Sequence, residues 1–318
     1  MSDNGDDDDD DDDEGIYFIW LLETLGWSHI KNGRMSESMR FFRRLSKAAR
    51  TRKGELEEAI GSEAMGIVLF YQNDYTKAAE FFAEARDIYA RSGAHGKAAH
   101  AIQKIGYVHR DRREYLEAEK SCNEAKSLLI GIGDRQGAGL MDCEAAIVLC
   151  MKGDYDGAEA ILNNAQQTFS RLGSKVGTAH VQLGLGHVHR GRSDFGKAKD
   201  LYIKSQAALI RMKHGFCAAY ATRGLGHVYR LQGDLDKAEA MYKQVRAIAG
   251  EYADAEAWLG LAAIRERQGR NDEAEHFLSE ASASFYKRGW QEDLPDYDSE
   301  LISLYKRIKS AAESDDGA

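Results

Sequence analysis

The sequence predicts an all-α chain built as an α-solenoid of about seven helix–turn–helix repeats. Three observations predict it. Apolar residues recur at helical spacing, as in "YTKAAEFFAEARDIYARSG" at residues 75–93, and almost no sustained stretch alternates as a strand does. One proline, Pro295, is the only one in 318 residues, so little in the body of the chain breaks a helix. The third is a period of forty residues: "LGLGHVHRGRSDFGKA" at 183–198 returns as "RGLGHVYRLQGDLDKA" at 223–238.

The chain opens on acid. Asp3, Asp6 to Asp13 and Glu14 supply ten of its 52 carboxylates, and the remaining 42 nearly balance 43 Lys and Arg. Residues 1–15 bury no apolar area and are expected to form a disordered acidic tail. A nearly neutral body argues against general nucleic-acid binding. The start lacks the basic and apolar runs of a secretory signal, and "IYFIWLL" at 16–22 is too short to span a bilayer. Cys122, Cys143, Cys150 and Cys217 form no CxxC pair, which suits reduced thiols. A cytoplasmic chain without a membrane span is the expectation.

Residues 16–290 hold the repeats. Gly26, Gly66, Gly106, Ala146, Gly186 and Gly226 fall in one column, and a shortened seventh copy places Ala262 there. Twelve residues later stand Ser38, Ala78, Ala118, Ala158, Ala198, Ala238 and Ala274. Four further on are Phe42, Phe82, Cys122, Leu162, Tyr202, Tyr242 and Leu278. Small residues let two helices approach. Between them lie turns such as "QND", "KGD", "RSD" and "QGD", whose aspartates Asp74, Asp154, Asp194 and Asp234 are N-caps for the second helix. Tyr75, Tyr115, Tyr155, Phe195 and Leu235 follow the turns and anchor the helix start. A second break, at Gly93, Gly133, Gly173, Gly215 and Gly250, closes each repeat. After Trp290 the pattern changes: Pro295 opens a last helix, and residues 291–318 read as a capping helix with a frayed end.

"LGHVY" at 225–229 followed by Ala238 and Tyr242, and "WLGLA" at 258–262 followed by Ala274, resemble the tetratricopeptide repeat pattern. The resemblance covers residues 17–286. It implies a right-handed superhelix whose first helices line a concave groove. The period of forty exceeds the family's usual 34, as in the extended repeats of Pins-type polarity adaptors and bacterial peptide-sensing regulators, and the closing proline is absent.

On those first helices, positions −6, −3, +1 and +4 from the small residue share one face. The candidate groove residues are His100, Tyr107 and Arg110, then Cys143 and Ile147, then His180, His187 and Arg190, then Tyr220, Arg223, His227 and Arg230. Arg110, Arg190 and Arg230 repeat one position, with Tyr or His one turn before each and an apolar step between the first two. Arginine captures carboxylate in two-pronged fashion, so the ligand expected is an acidic peptide with a hydrophobic anchor. The lysine and asparagine set of the family's carboxylate clamp is missing, and the competing reading makes these arginines surface residues paired to nearby acids.

His187 and His189 point to nearly opposite faces and suit no common metal. His189 stands where the family packs a tyrosine, which implies packing. His180, His187 and His227 read as polar lining. Cys143 and Cys150 lie seven apart on one helix, about 10 Å, too far for a disulfide. No phosphate loop, GxSxG or HExxH occurs, and the two GLG stretches fall inside helices. Neither catalysis, a cofactor nor a metal is expected.

Residues 39–53, "MRFFRRLSKAARTRK", hold seven bases and no acid. The run Asp6 to Asp13 is a candidate intramolecular partner for this helix or for the groove. The function expected is a non-enzymatic adaptor or scaffold that binds a peptide segment of a protein partner. The alternatives are a peptide-sensing regulatory protein and a self-assembling scaffold, the latter motivated by Trp20, Trp27 and Ile30.

Overall fold

A computed structural model describes residues 7–31, 34–249 and 255–287. Fourteen helices and no strand occur among the described residues. They follow one another as α1 (Asp7–Lys31) and α2 (Met35–Arg52), α3 (Glu55–Tyr71) and α4 (Tyr75–Arg91), α5 (His95–Asp111) and α6 (Tyr115–Gly131), and α7 (Arg135–Met151) and α8 (Tyr155–Leu172). Then come α9 (Lys175–Gly191) and α10 (Phe195–Arg211), α11 (Gly215–Leu231) and α12 (Leu235–Ala249), and α13 (Ala255–Arg267) and α14 (Asn271–Lys287). These are the seven expected repeats. The chain divides into two compact bodies, Met1–Val108 and His109–Ala318.

Within each body, successive helices pack in chain order, as an α-solenoid requires. First helices also touch one another: α1 meets α3 in the N-terminal body, and α7 meets α9, α9 meets α11 and α11 meets α13 in the C-terminal body. The second helices α8, α10 and α12 do not meet to that extent. Within each body, therefore, first helices form an inner layer and second helices an outer one: α1 and α3 are inner in the N-terminal body, and α7, α9, α11 and α13 in the C-terminal body.

The small-residue column explains the close inner layer. At Gly26, Gly66, Gly186 and Gly226 the ring sixteen residues on lies against the glycine of its own repeat. A methyl added at Gly186 would stand 2.6 Å from the Tyr202 ring, and one at Gly224, on the next first helix, 2.5 Å from the same ring. Tyr242 is lodged the same way between Gly226 and Gly260. Each "GLG" thus accepts a side chain of the preceding repeat at its first glycine and of its own repeat at its second. Where the column holds alanine, at 146 and 262, the partner shrinks to Leu162 and Leu278 in the same buried clusters. The alanine twelve residues on, expected to face the small residue, is fully buried beside this slot in Ala78, Ala158, Ala198 and Ala238.

The turns behave as their residues dictate. Asp74, Asp154, Asp194 and Asp234 each accept a bond from the backbone N–H three residues later, at 3.2, 2.9, 3.3 and 3.4 Å. The residue before each of these caps is left-handed: Asn73 at φ 60°, Gly153 at 84°, Ser193 at 62° and Gly233 at 81°. Gly93, Gly133 and Gly173 close their repeats in that conformation too. Gly215 does not; Lys213, at φ 60°, takes the left-handed role and Gly215 opens α11. Gly250 and the cap expected at 291–318 lie outside the described residues. At the other end α1 begins at Asp7, inside the stretch expected to be a disordered tail. Carboxylates near a helix N-terminus complement its dipole.

Gly186→Ala is expected to lower stability by about 1–3 kcal/mol, because the Tyr202 ring leaves no room for a methyl. Adding Tyr202→Leu should recover much of the loss by copying the Ala146–Leu162 pair, and a denaturant double-mutant cycle measures the coupling. Ser193→Gly should raise stability by about 0.5 kcal/mol, since glycine relieves more left-handed strain than it adds in chain entropy.

Candidate functional site

The expected groove residues divide between the two bodies. His100 and Tyr107 belong to the N-terminal body. His100 is exposed, its Nδ1 3.5 Å from Gln103 Oε1, and Gln103 Nε2 donates to the Tyr107 hydroxyl at 2.8 Å. All the other candidates belong to the C-terminal body.

There the structure corrects the picture of a solvent-facing stripe. Arg110 is 5% exposed and Arg230 0%, and His180, His227 and Cys143 are buried as well. Ile147, His187, Arg190, Tyr220 and Arg223 are half-buried. The cause is the short distance between first helices: side chains that leave them inward meet one another before they meet water.

Tyr220 is the meeting point. Its hydroxyl accepts a hydrogen bond from Arg110 Nη2 at 2.7 Å, across 110 residues of sequence. The Arg110 guanidinium lies 5.1 Å and that of Arg223 4.8 Å from the centre of the Tyr220 ring. Each cation also has a carboxylate. Arg110 Nη1 donates to Glu144 Oε2 at 3.0 Å and its Nε to Asp111 Oδ1 at 3.0 Å. Arg223 Nη1 stands 3.0 Å from Glu256 Oε2. An aromatic face between two guanidiniums is a favourable cation–π arrangement where water is scarce.

The histidines serve the repeat itself. His187 Nδ1 and the Tyr202 hydroxyl share a hydrogen bond of 3.0 Å, and His227 Nδ1 and the Tyr242 hydroxyl one of 3.3 Å. So the histidine of "GLGH" accompanies a tyrosine in the glycine slot. Where the slot ring is Phe42 or Phe82, the histidine's place is taken by Trp27 or Ile67, which have no hydroxyl to meet. His189, expected in packing, has a largely covered side chain, and its Nδ1 stands 3.4 Å from Asp194 Oδ2. Among the described residues no group of three His, Cys, Asp or Glu is placed to hold a metal.

Burial and positive neighbours hold the inner histidines neutral. His187 and His227 lie well below the ordinary histidine range, first through burial. The charges of Arg190, Arg223 and Arg110 add to this for His187, and those of Arg190, Arg230 and Arg223 for His227. His180 is lowered to about 4, by burial and then by His214. The thiols are pushed the other way: burial raises Cys143 well above its usual value and Cys150 to about 12, so both stay protonated. All four cysteines are free.

Glu144 and the slot tyrosines Tyr202 and Tyr242 were missed as members of this inner face. Glu144 has a sequence signal. Its column otherwise reads Thr24, Ala64, Lys104, Gly184, Gly224 and Gly260, so it is the one acid at a packing position.

The neutral histidines set a pH dependence. An unfolded chain binds a proton at each site below the ordinary histidine value of 6.5, and the folded chain does not. Stability is therefore complete above that value and is lost as pH falls from 6.5 toward about 4. Each such histidine contributes a slope of about 1.4 kcal/mol per pH unit inside the window. The denaturation midpoint should fall between pH 7 and 5, and His180→Asn should make that fall shallower. A midpoint constant over the range would contradict neutral burial.

Comparison with known proteins bears on the same repeats. The tetratricopeptide repeat family matches residues 137–211 and 216–287. No curated protein matches the chain significantly. Among solved structures, the chain is similar to the Rap conjugation gene regulator of the plasmid pLS20, in complex with the Phr* peptide. Identity is 14% over 91% of this chain and 79% of that one, with a TM-score of 0.66. Aspartyl phosphate phosphatase F from Bacillus subtilis is 12% identical over 88% and 74%, with a TM-score of 0.64. A Rap protein complexed with Competence and Sporulation Factor is 15% identical over 99% and 89%, with a TM-score of 0.59. At these identities the likeness is one of fold. Residues 137–211 and 216–287 thus match the tetratricopeptide repeat family, and helix pairs of the same kind continue along the other described residues.

Proposed function

We propose that the chain is a non-enzymatic adaptor whose C-terminal body binds a carboxylate-bearing peptide segment of a partner protein. One observation carries the reading. Arg110, at the end of α5, and Arg223, on α11, meet at the Tyr220 ring, 5.1 and 4.8 Å from its centre, and Arg190 and Arg230 hold the repeat position of Arg110 on α9 and α11. Two of the four, Arg190 and Arg223, are half-buried rather than enclosed. Arginines fixed by aromatic and carboxylate neighbours are pre-organised for a second carboxylate, so little freedom is lost when one binds. Ile147 and the buried Cys143 and Cys150 on α7 supply the apolar step for a hydrophobic anchor.

The Phr* peptide in complex with the pLS20 regulator, whose fold this chain resembles, supports a peptide ligand. Four free cysteines suit a reducing, cytoplasmic setting. No helix among the described residues is long and apolar enough to cross a membrane.

Arg190→Gln and Arg223→Gln test the reading with the least disturbance of packing. Fluorescence anisotropy with a library of acidic peptides, each bearing one large apolar residue, should find binders for the native chain. Each variant should weaken those binders by about tenfold or more, because a charge-assisted bond contributes more than a neutral one. Unchanged affinity in variants with a native circular dichroism spectrum would remove this face from consideration, and so would binders that prefer basic peptides.

A further inference from the structure

The C-terminal body has two edges, because its helices alternate in direction. The turns inside each repeat lie along one edge and the loops between repeats along the other. The two edges differ in how their charges are paired. At the turns cations have acids: Arg112 stands 3.1 Å from Glu114, Lys152 2.7 Å from Glu119, Arg192 2.6 Å from Glu159 and Lys237 2.6 Å from Asp234.

At the loops the cations stand without acids. Residues 130–136, 170–176 and 210–216 join α6 to α7, α8 to α9 and α10 to α11, and they contain one acid, Asp134. It is engaged as an N-cap, accepting from the Gly137 N–H at 2.8 Å. The same loops expose Arg135, Arg171, Lys175, Arg211 and Lys213. None of the five has a carboxylate partner among the described residues; Arg211 Nε donates to the Ala207 carbonyl at 3.2 Å.

Apolar side chains stand among these cations. Ile130 is 59%, Ile132 48%, Leu172 45% and Ile210 48% exposed. They are four of the seven large apolar side chains exposed in this body among the described residues. The core does not need them, because Leu129, Phe169 and Leu209 beside them are buried and do the packing. Neither does the repeat. In the first two repeats the same two columns hold Arg50 and Arg52, then Ala90 and Ser92. Apolar surface that neither core nor repeat requires marks a place of contact.

Each loop thus carries the same combination, an exposed aliphatic side chain with cations beside it. The partner that fits is anionic, and apolar just beneath its charge. It offers both at three neighbouring repeats, where cations separate one aliphatic side chain from the next. An anionic lipid surface has this layering everywhere: headgroup charges lie above acyl chains, and lipids move laterally to meet each loop. The stems of lysine and arginine run along the apolar layer and leave their charges among the headgroups. A folded acidic partner would need the same alternation in fixed register over three repeats. The chain's excess of acid lies in its first fourteen residues, outside this body, so its net charge does not describe this edge.

We propose that the loop edge of the C-terminal body docks on an anionic lipid membrane: Ile132, Leu172 and Ile210 enter the acyl boundary, and the arginines and lysines beside them meet the headgroups. This surface is separate from the inner face, and either reading stands if the other fails.

Co-sedimentation of the full chain with vesicles tests it. The native chain should bind phosphatidylcholine vesicles containing about 30% phosphatidylserine, bind phosphatidylcholine alone weakly, and be released by about 0.5 M salt. Arg171→Glu, Lys175→Glu, Arg211→Glu and Lys213→Glu together should weaken binding by about tenfold or more. Ile132→Ser, Leu172→Ser and Ile210→Ser together should do the same with every cation in place, which attraction of charge alone does not predict. All these side chains are exposed, so both variants should melt as the native chain does. Brominated acyl chains should quench the fluorescence of Leu172→Trp beyond that of the native chain. Arg190→Gln and Arg223→Gln should leave vesicle binding unchanged. A native chain that ignores phosphatidylserine vesicles overturns the proposal. So does binding that survives either set of substitutions, or a Leu172→Trp chain without added quenching. If the same substitutions abolish binding to an acidic protein while vesicles are ignored, the edge is a protein interface and the lipid reading is wrong.

Discussion

The inner layer depends on one steric constraint: a side chain from a second helix must fit against small residues of the first helices, and in two repeats it is a ring held between two glycines. Tyr202 between Gly186 and Gly224, and Tyr242 between Gly226 and Gly260, leave no space for even a methyl group. This fixes the distance within a repeat and between repeats together. A close-packed interior does not deform continuously, so the slot sets the geometry of every helix pair built around it. The Leu162 and Leu278 repeats solve the same volume problem with a smaller side chain against alanine.

Close first helices decide the chemistry of the inner face. A cation enclosed without partners is expensive, so buried arginines need carboxylates, hydroxyls or rings within reach. Arg110 has all three in Glu144, the Tyr220 hydroxyl and the Tyr220 ring. The histidines remain neutral in this surrounding because burial, and then the charges of nearby arginines, disfavour a further positive charge. They hold the slot tyrosines by their hydroxyls. A motif that invites a metal reading is thus part of how each repeat closes.

Surface charge follows a different logic. Arg192 spans from its turn to Asp156 and Glu159 on the preceding second helix, and Lys152 reaches Glu119 at 2.7 Å in the same manner. Such exposed pairs contribute little individually. They repeat because the register that places one places the next. The seventh repeat departs from this. Arg265 is 5% exposed, binds both oxygens of Glu239 at 2.7 and 2.6 Å, and draws that carboxyl down to about 2.

The sequence by itself determined the local pattern. Periodicity, small-residue columns and capping aspartates are short-range properties, and they specified seven helix pairs, their turns and the buried alanines. Two of the arginines they single out, Arg110 and Arg230, are buried. Only the tertiary structure decided how far apart the inward faces stand. That distance turned an exposed stripe into a buried network, joined Arg110 to Tyr220 across 110 residues, and gave His187 a tyrosine fifteen residues away as its partner. It also separated Trp20 from Trp27, one exposed and one packed, although both lie on the same helix. The reason is physical. Helical spacing records which way a side chain points, whereas what it meets depends on the approach of another helix, and that is set by packing volumes summed over distant parts of the chain.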